Sequence, residues 1–448
     1  MVSTMSIEHM KQLLAVIESS VERSQSILNY INSLAVTGQI EKLGAEAVRK
    51  LMISDRVHTR RYPLEAAAEM VGVSRHIISA AEAKGELPAP EYRVDTARRI
   101  RAGYTINQVN DMRAYFGTLP KVDESLKSSI VAFLNLKGGC QKSTMTLFFS
   151  HWLAIKGYRV LCLDTDPQAS LTESFGLVPD REIEYVNTIA PFMLEDGDSL
   201  EEAGHDPKAF LSLHYAIRPT YWNRIDIIPG SMDLLNIDLL SNRGENSARL
   251  GVSKLRDGLK EVGVDYDFIL IDGTPSLNVS TLNVISATDQ VFVPAPAEMS
   301  DYRSTVKFLG MLKEVLDNYV RTGTETPFPH FNFLINKKMK TNYSDYMTDI
   351  IQRTFNDPSG DNDLVLEELV YSSNEVGKAA SEMTYLFETA PSDTTNRDGL
   401  KKAEQNYNAV FECLMATLQQ NLNPDNVSIQ ELNRGLNQKV NSVSVEES

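Results

Sequence analysis

The sequence predicts an α/β fold: a mostly parallel sheet with helices on both faces, preceded by an all-helical N-terminal region. Three observations predict it. Residues 130–136 form an apolar run that passes through a glycine turn into a helix-spaced segment, 144–157. Two further apolar runs, 159–164 and 266–272, end in aspartates. From 129 to about 370 such strands alternate with helical spacing, as in sheets whose parallel strands are joined by helical crossovers.

The chain has 448 residues, 42% of them hydrophobic, enough for two or three domains. No apolar run approaches the roughly 18 residues that span a bilayer. The start, MVSTMSIEHMKQLL, lacks the basic and apolar regions of a secretory leader, so a cytoplasmic protein without a membrane partner is expected. Cys140, Cys162 and Cys413 are scattered and suggest neither a disulfide framework nor a metal site. The net charge of −16 argues against wholesale coating of nucleic acid. Residues 50–120, however, carry 11 Lys and Arg against 8 Asp and Glu, a local excess that can face DNA.

In chain order, residues 5–35 space their apolar positions as a helix, with Leu13, Leu14, Ile17, Val21, Ile27, Leu28 and Ile31 on one stripe. Within an N-terminal segment 1–38, that helix either pairs with a second subunit or packs on its own chain. Residues 39–118 are read as a winged or plain helix–turn–helix DNA-binding domain. Residues 64–70 form its first short helix, Gly72 the turn, and Ser74 the N-cap of a second helix that Gly85 stops. Ser74, Arg75, His76 and Ser79 are the candidate DNA contacts. A further helix follows Thr105, and 116–128 links to the α/β domain spanning 119–420.

The strand–turn–helix at 130–144 is the form of a P-loop NTPase core. Gly138 and Gly139 let successive N–H groups face one phosphate chain. Lys142 reaches the terminal phosphates, and the Ser143 hydroxyl is placed for Mg²⁺. Cys140, Gln141 and Thr144 complete the nucleotide-facing turn. Gln141 stands where the strict pattern wants glycine, and Lys137 supplies a second lysine at the loop's start. Asp164 and Asp166 end the next strand, at the sheet edge where open α/β folds bind ligands. Asp166 can orient a water or balance Mg²⁺. Asp164 shares its face and is counted with Ser143 and Asp272 as metal-facing. Residues 226–230 are a short strand, and 290–296 a buried one ending in Pro296, counted with the nucleotide contacts. Asn336 ends another strand and is assigned to the adenine edge; Lys337, Lys338 and Lys340 beyond it are candidate DNA-phosphate contacts. Residues 363–370 are read as a last strand, 401–418 as a closing helix, and 421–448 as a polar, flexible tail.

Lys137-Gly-Gly-Cys-Gln-Lys142-Ser143, Asp164-Thr-Asp166-Pro-Gln168 and Ile269-Leu-Ile-Asp272-Gly-Thr-Pro275 resemble the three nucleotide motifs of the ParA/MinD deviant Walker ATPases. The segments at 67–88 and 103–113, with Glu375-Val-Gly-Lys378, resemble large plasmid-partition ATPases of the SopA type. The resemblance covers about 40–418. It implies that Lys142 neutralises the β/γ-phosphates of ATP, that Ser143 ligates Mg²⁺ and that Asp272 holds it through water. It further implies that Asp166 positions the attacking water and that Lys137 crosses a homodimer interface to the partner's nucleotide; Lys137, Lys142 and Asp166 are thus the catalytic candidates. The implied function is DNA partition by an ATPase that dimerises on ATP and binds DNA without sequence choice. A centromere-binding ParB-type protein would stimulate it, and the helix–turn–helix would repress its own operon. Two alternatives stay open: a transcriptional regulator with nucleotide as mere ligand, and a MinD-like division-site ATPase. Residues 403–433 contain no Lys or Arg, against the basic amphipathic helix the latter needs.

Overall fold

The computed structural model describes residues 58, 60–95, 98–124, 126–194, 197–241, 254–276, 278–322, 328–356, 363–381 and 385–422. The chain divides after residue 56, and all the described residues belong to the second unit, 57–448. The helix expected at 5–35 and nearly all of the tail expected at 421–448 lie outside the described residues.

The second unit is built on seven strands: β3 (Ser129–Phe133), β4 (Val160–Asp164), β5 (Arg218–Pro219), β6 (Ile225–Ile228), β7 (Phe268–Asp272), β8 (Gln290–Pro296) and β9 (His330–Asn336). Their order across the sheet is β5-β6-β4-β7-β3-β8-β9. The short edge strand β5 runs antiparallel to β6, and every other pairing is parallel. The central strands are buried along their whole length, which is why they read as continuous apolar runs rather than alternations. Alternation decides which core each residue enters. Val131 and Phe133 point into one, while Ile130 and Ala132 point into the other.

Helices cover both faces. On the first lie α1 (Leu64–Val71), α2 (Arg75–Lys84), α3 (Ile106–Phe116), α4 (Lys142–Lys156), α5 (Ser170–Ser174) and the closing helix. On the second lie α6 (Lys254–Gly263), α7 (Val279–Ala287), α8 (Met299–Thr322) and α9 (Asn342–Phe355). The closing helix, α10, spans Arg397–Leu422 and buries Tyr407, Phe411 and Leu414 against Phe148 and Phe149 of α4.

The N-terminal elements end where their glycines predict. Gly72, Gly85 and Gly117 each take the left-handed conformation that stops a helix. Thr105 and Gln108 form a reciprocal capping box at the start of α3. Two features differ from the sequence reading. The region is not purely helical: β1 (Tyr92–Asp95) and β2 (Arg98–Arg101) pair as an antiparallel hairpin between α2 and α3. Each strand carries one aliphatic residue among charged ones, so there is no periodicity to read. Nor does the region stand apart. Ala67, Val71, Ile78, Val109 and Met112 share one core with Phe148, Trp152 and Phe411.

The joint between α3 and α4 is polar and fully paired. Asn110 Nδ2 donates to the Ala154 carbonyl at 3.0 Å, and Arg113 Nη1 to the Ile155 carbonyl at 2.7 Å. Arg113 Nε also donates to the Met70 carbonyl of α1, at 2.9 Å. The Ala154 carbonyl also accepts from the Gly157 amide at 3.0 Å, whereas the Ile155 carbonyl takes its bond from Arg113, whose guanidinium sits at the negative end of α4.

Residues 363–370, read as a strand, make only isolated bridges beside β9, such as Phe333 with Val365. Glu367 and Glu368 face solvent there, and the ladder is interrupted where the chain carries them outward.

Candidate nucleotide-binding site

Strand order builds the site. β4, β7 and β3 are neighbours, with Asp164 opposite Asp272 and Asp272 opposite Phe133. The two carboxylates and the loop after β3 therefore emerge side by side at one edge of the sheet. The loop opens onto free space: a Cβ added to Gly138 or Gly139 would meet no protein atom within 4 Å. Gly139 has φ +73°, and Gln141 takes φ +72°, the left-handed backbone that the glycine of the strict pattern would adopt. Glutamine is thus held in a conformation that glycine adopts freely, at roughly 1 kcal/mol of strain. Lys142 opens α4 and is buried; its ammonium rests against the Lys137 carbonyl at 3.4 Å. Ser143 and Thr144 are half-buried beside it, at the mouth of a cleft of about 260 Å³ whose far wall is Ser170, Glu173, Ser174 and Tyr385. None of those four reads as a site residue in the sequence: Ser170, Glu173 and Ser174 lie on α5 just past Gln168 and carry no motif, and Tyr385 arrives from far along the chain.

Asn336 is fully buried, and its amide donates to the Cys140 carbonyl at 2.7 Å and to Gln141 Oε1 at 3.0 Å. It braces the loop from β9, while its own Oδ1 has no partner. Asn336→Ala is expected to destabilise the chain by about 1–3 kcal/mol, since it strands a buried carbonyl. Denaturant midpoints measure it. Pro296 ends β8 and is buried in the ladder opposite Asn336.

The acids divide their work differently from the reading that made both Asp164 and Asp272 metal-facing. Asp164 accepts from the Thr172 amide at 2.9 Å, the Thr172 hydroxyl at 2.7 Å and the Asp166 amide at 3.1 Å. It holds the turn into α5, and its oxygens are already committed. Asp166 is half-buried at the mouth and accepts from the Gln168 amide at 3.0 Å. Asp272 is fully buried, and neither of its carboxylate oxygens makes a geometrically sound hydrogen bond. Ser143 lies close enough to favour its charged form. Two carboxyl oxygens without partners beside a serine hydroxyl suit a hard cation, whose charge would favour the ionised form. Among the described residues no cluster of three or more His, Cys, Asp or Glu could hold a metal. An ion bound largely through phosphate and water needs none.

Burial raises the pKa of both carboxyls, Asp164 from 3.8 to about 6 and Asp272 well above its ordinary value, with the Asp164 charge adding to the latter. An acid that binds its proton more tightly when folded stabilises the fold below its unfolded pKa and loses that stabilisation as pH rises through the folded one. The ligand-free chain is therefore expected to lose up to ~3 kcal/mol between about pH 4 and pH 7 from Asp164 alone. Asp272→Asn removes one titrating group and should flatten the slope in thermal melts across that range.

The basic loop after β9 is only partly available. Lys338 is buried, ion-paired with Asp345 and donating to the Met339 carbonyl at 3.1 Å, so it cannot serve as a DNA contact without breaking both. Lys340 is exposed and Lys337 half-buried. On α2, Ser74, Arg75 and His76 are exposed and Ser79 half-buried. Ser74 is the N-cap residue, though its side chain makes no capping bond. Arg75 pairs with Glu65 at 2.9 Å across exposed surface, a weak tie readily exchanged for another anion.

Fold and site together define a P-loop nucleotide-binding protein. Residues 128–322 match the family described as an AAA domain. Protein SopA of Escherichia coli (strain K12) is 33% identical over 365 residues, covering 80% of this chain and 89% of that protein. A putative replication protein A of Sinorhizobium fredii (strain NBRC 101917 / NGR234) is 26% identical over 366 residues, 78% of this chain and 84% of that one. A solved structure described as a partition protein shares the fold, with a TM-score of 0.56 at 21% identity, covering 86% of this chain and 99% of that one. This chain belongs to the ParA/SopA family of partition ATPases.

Proposed function

We propose that the chain hydrolyses ATP with Mg²⁺ and uses the cycle to segregate DNA. The observation that carries this reading is the convergence of Lys137, Lys142, an open glycine backbone and the unpaired Asp272 carboxylate at one sheet edge. Lys142 binds the β/γ-phosphates, and Ser143 with Asp272 holds the ion. Bound Mg²⁺ supplies charge neutralisation at the terminal phosphates. Asp166, free to face the mouth, orients the attacking water. The unpaired Asn336 Oδ1 is an acceptor that the adenine amino group would satisfy. Lys137 reaches the nucleotide of a second copy, so ATP closes a homodimer.

Two copies double a modest cationic surface that includes Lys337 and Lys340, which supports DNA binding without sequence choice. The helix–turn–helix of α1 and α2, with the β1–β2 hairpin as wing, serves operator binding through Ser74, Arg75, His76 and Ser79, and autorepression. A centromere-binding ParB-type partner stimulates hydrolysis. The protein is cytoplasmic and nucleoid-associated when ATP-bound; among the described residues no helix is long and apolar enough to cross a membrane.

A second reading, a nucleotide-responsive repressor, draws support from the core that α1–α3 share with α4. Phosphate release measured with ATP, Mg²⁺, DNA and the partner separates the two. Stimulated turnover supports the partition cycle. Operator binding that responds to nucleotide without turnover overturns it in favour of the repressor.

A further inference from the structure

Lys137 does not stand free at the loop. Its ammonium lies 3.4 Å from Asp301 Oδ1, in the first turn of α8. The partners are unequally placed: the lysine side chain is 40% exposed, the aspartate 7%. The neighbourhood fixes Asp301 more firmly than Lys137. Asn135, at the root of the loop, donates to the Pro294 carbonyl at 2.7 Å and to the Thr305 hydroxyl at 3.0 Å, and accepts from the Lys137 amide at 3.3 Å. Thr305 in turn donates to the Asp301 carbonyl at 3.1 Å. The start of α8 is thus tied to the loop's root, with Asp301 facing the lysine.

We propose that Asp301 is a positioning residue that holds the Lys137 ammonium within its own subunit until a second, ATP-loaded copy presents its phosphates. This rests on the reading that Lys137 acts across the dimer. One ammonium cannot satisfy both anions, so dimerisation exchanges an aspartate for a triphosphate. The aspartate left behind is too buried to be resolvated by bulk water. Among the described residues it keeps the dipole of the α8 N-terminus and the Ser300 hydroxyl, at 3.4 Å. The exchange therefore carries a cost that a highly charged triphosphate offsets better than a diphosphate. Asp301 sets a threshold below which copies do not pair.

The test is sedimentation equilibrium of the full chain with Mg²⁺ and a non-hydrolysable ATP analogue. A part-exposed ion pair corresponds to about a threefold effect per lysine, and two lysines are released per dimer. Asp301→Asn should lower the dimer dissociation constant about tenfold. Asp301→Glu, which keeps the charge, should behave as the wild type. In a Lys137→Ala background, Asp301→Asn should change nothing. Unchanged or weaker dimerisation of Asp301→Asn, with Lys137→Ala defective, overturns the latch and leaves the cross-subunit role of Lys137 standing. Lys137→Ala dimerising as well as the wild type overturns that role, and the latch with it. A melting temperature matching the wild type establishes that Asp301→Asn is folded; should it fall, Asp301→Ser in the same assay takes its place.

Discussion

Lys142→Ala is expected to lower ATP turnover by about 10²–10³-fold, with little effect on stability. The ammonium is the buried cation on the loop, and it rests against the Lys137 carbonyl rather than an acid. Its removal breaks no ion pair in the ligand-free fold, although it takes away one of the charges that favour the ionised form of the buried Asp272. The backbone carbonyl of residue 142 still accepts from the Thr146 hydroxyl at 3.1 Å, and alanine favours the first turn of α4. Catalysis loses the charge that balances the terminal phosphates, while the helix keeps its start. Single-turnover phosphate release at saturating Mg²⁺-ATP reads the effect, alongside a thermal melt. A wild-type rate would remove this loop from the chemistry.

Arg113→Ala should have the largest effect on stability, roughly 3 kcal/mol or more. The guanidinium bonds the Met70 and Ile155 carbonyls and the Asn110 amide oxygen, the last at 2.7 Å. Burial lowers its pKa, a sign of how far it sits from water. Removal strands two backbone carbonyls and opens a gap where α1, α3 and α4 meet. Arg113→Lys should recover little, because the ammonium's donors share one nitrogen, whereas the acceptors are spaced to meet Nε and Nη1 of the guanidinium. The loss should appear as one shifted transition in denaturant, since α1–α3 share their core with the sheet. Two separated transitions would mean that the N-terminal helices unfold on their own.

The sequence disclosed what is local and strongly patterned. Buried parallel strands read as apolar runs, their terminal acids mark the ligand edge, and Gly72, Gly85 and the Thr105 capping box mark helix ends because each is a local backbone requirement. What stayed hidden depends on partners far along the chain. Lys338 looks like part of a basic cluster until Asp345, one helical turn into α9, neutralises it. Asp164 looks like a ligand until Thr172 engages its Oδ2 and the Asp166 amide its Oδ1. Asp301 and Asn336 bear on the loop from strands and helices that only the sheet order brings near. The β1–β2 hairpin escaped because its strands hold too few apolar residues to show alternation.

Gln141 couples two local demands. The turn requires a handedness, not a particular residue, and a flexible amide side chain meets it while gaining a bond from Asn336. Gln141→Gly would relax the backbone yet give up that bond, leaving the Asn336 amide with the Cys140 carbonyl as the remaining clasp between the phosphate cradle and the end of β9.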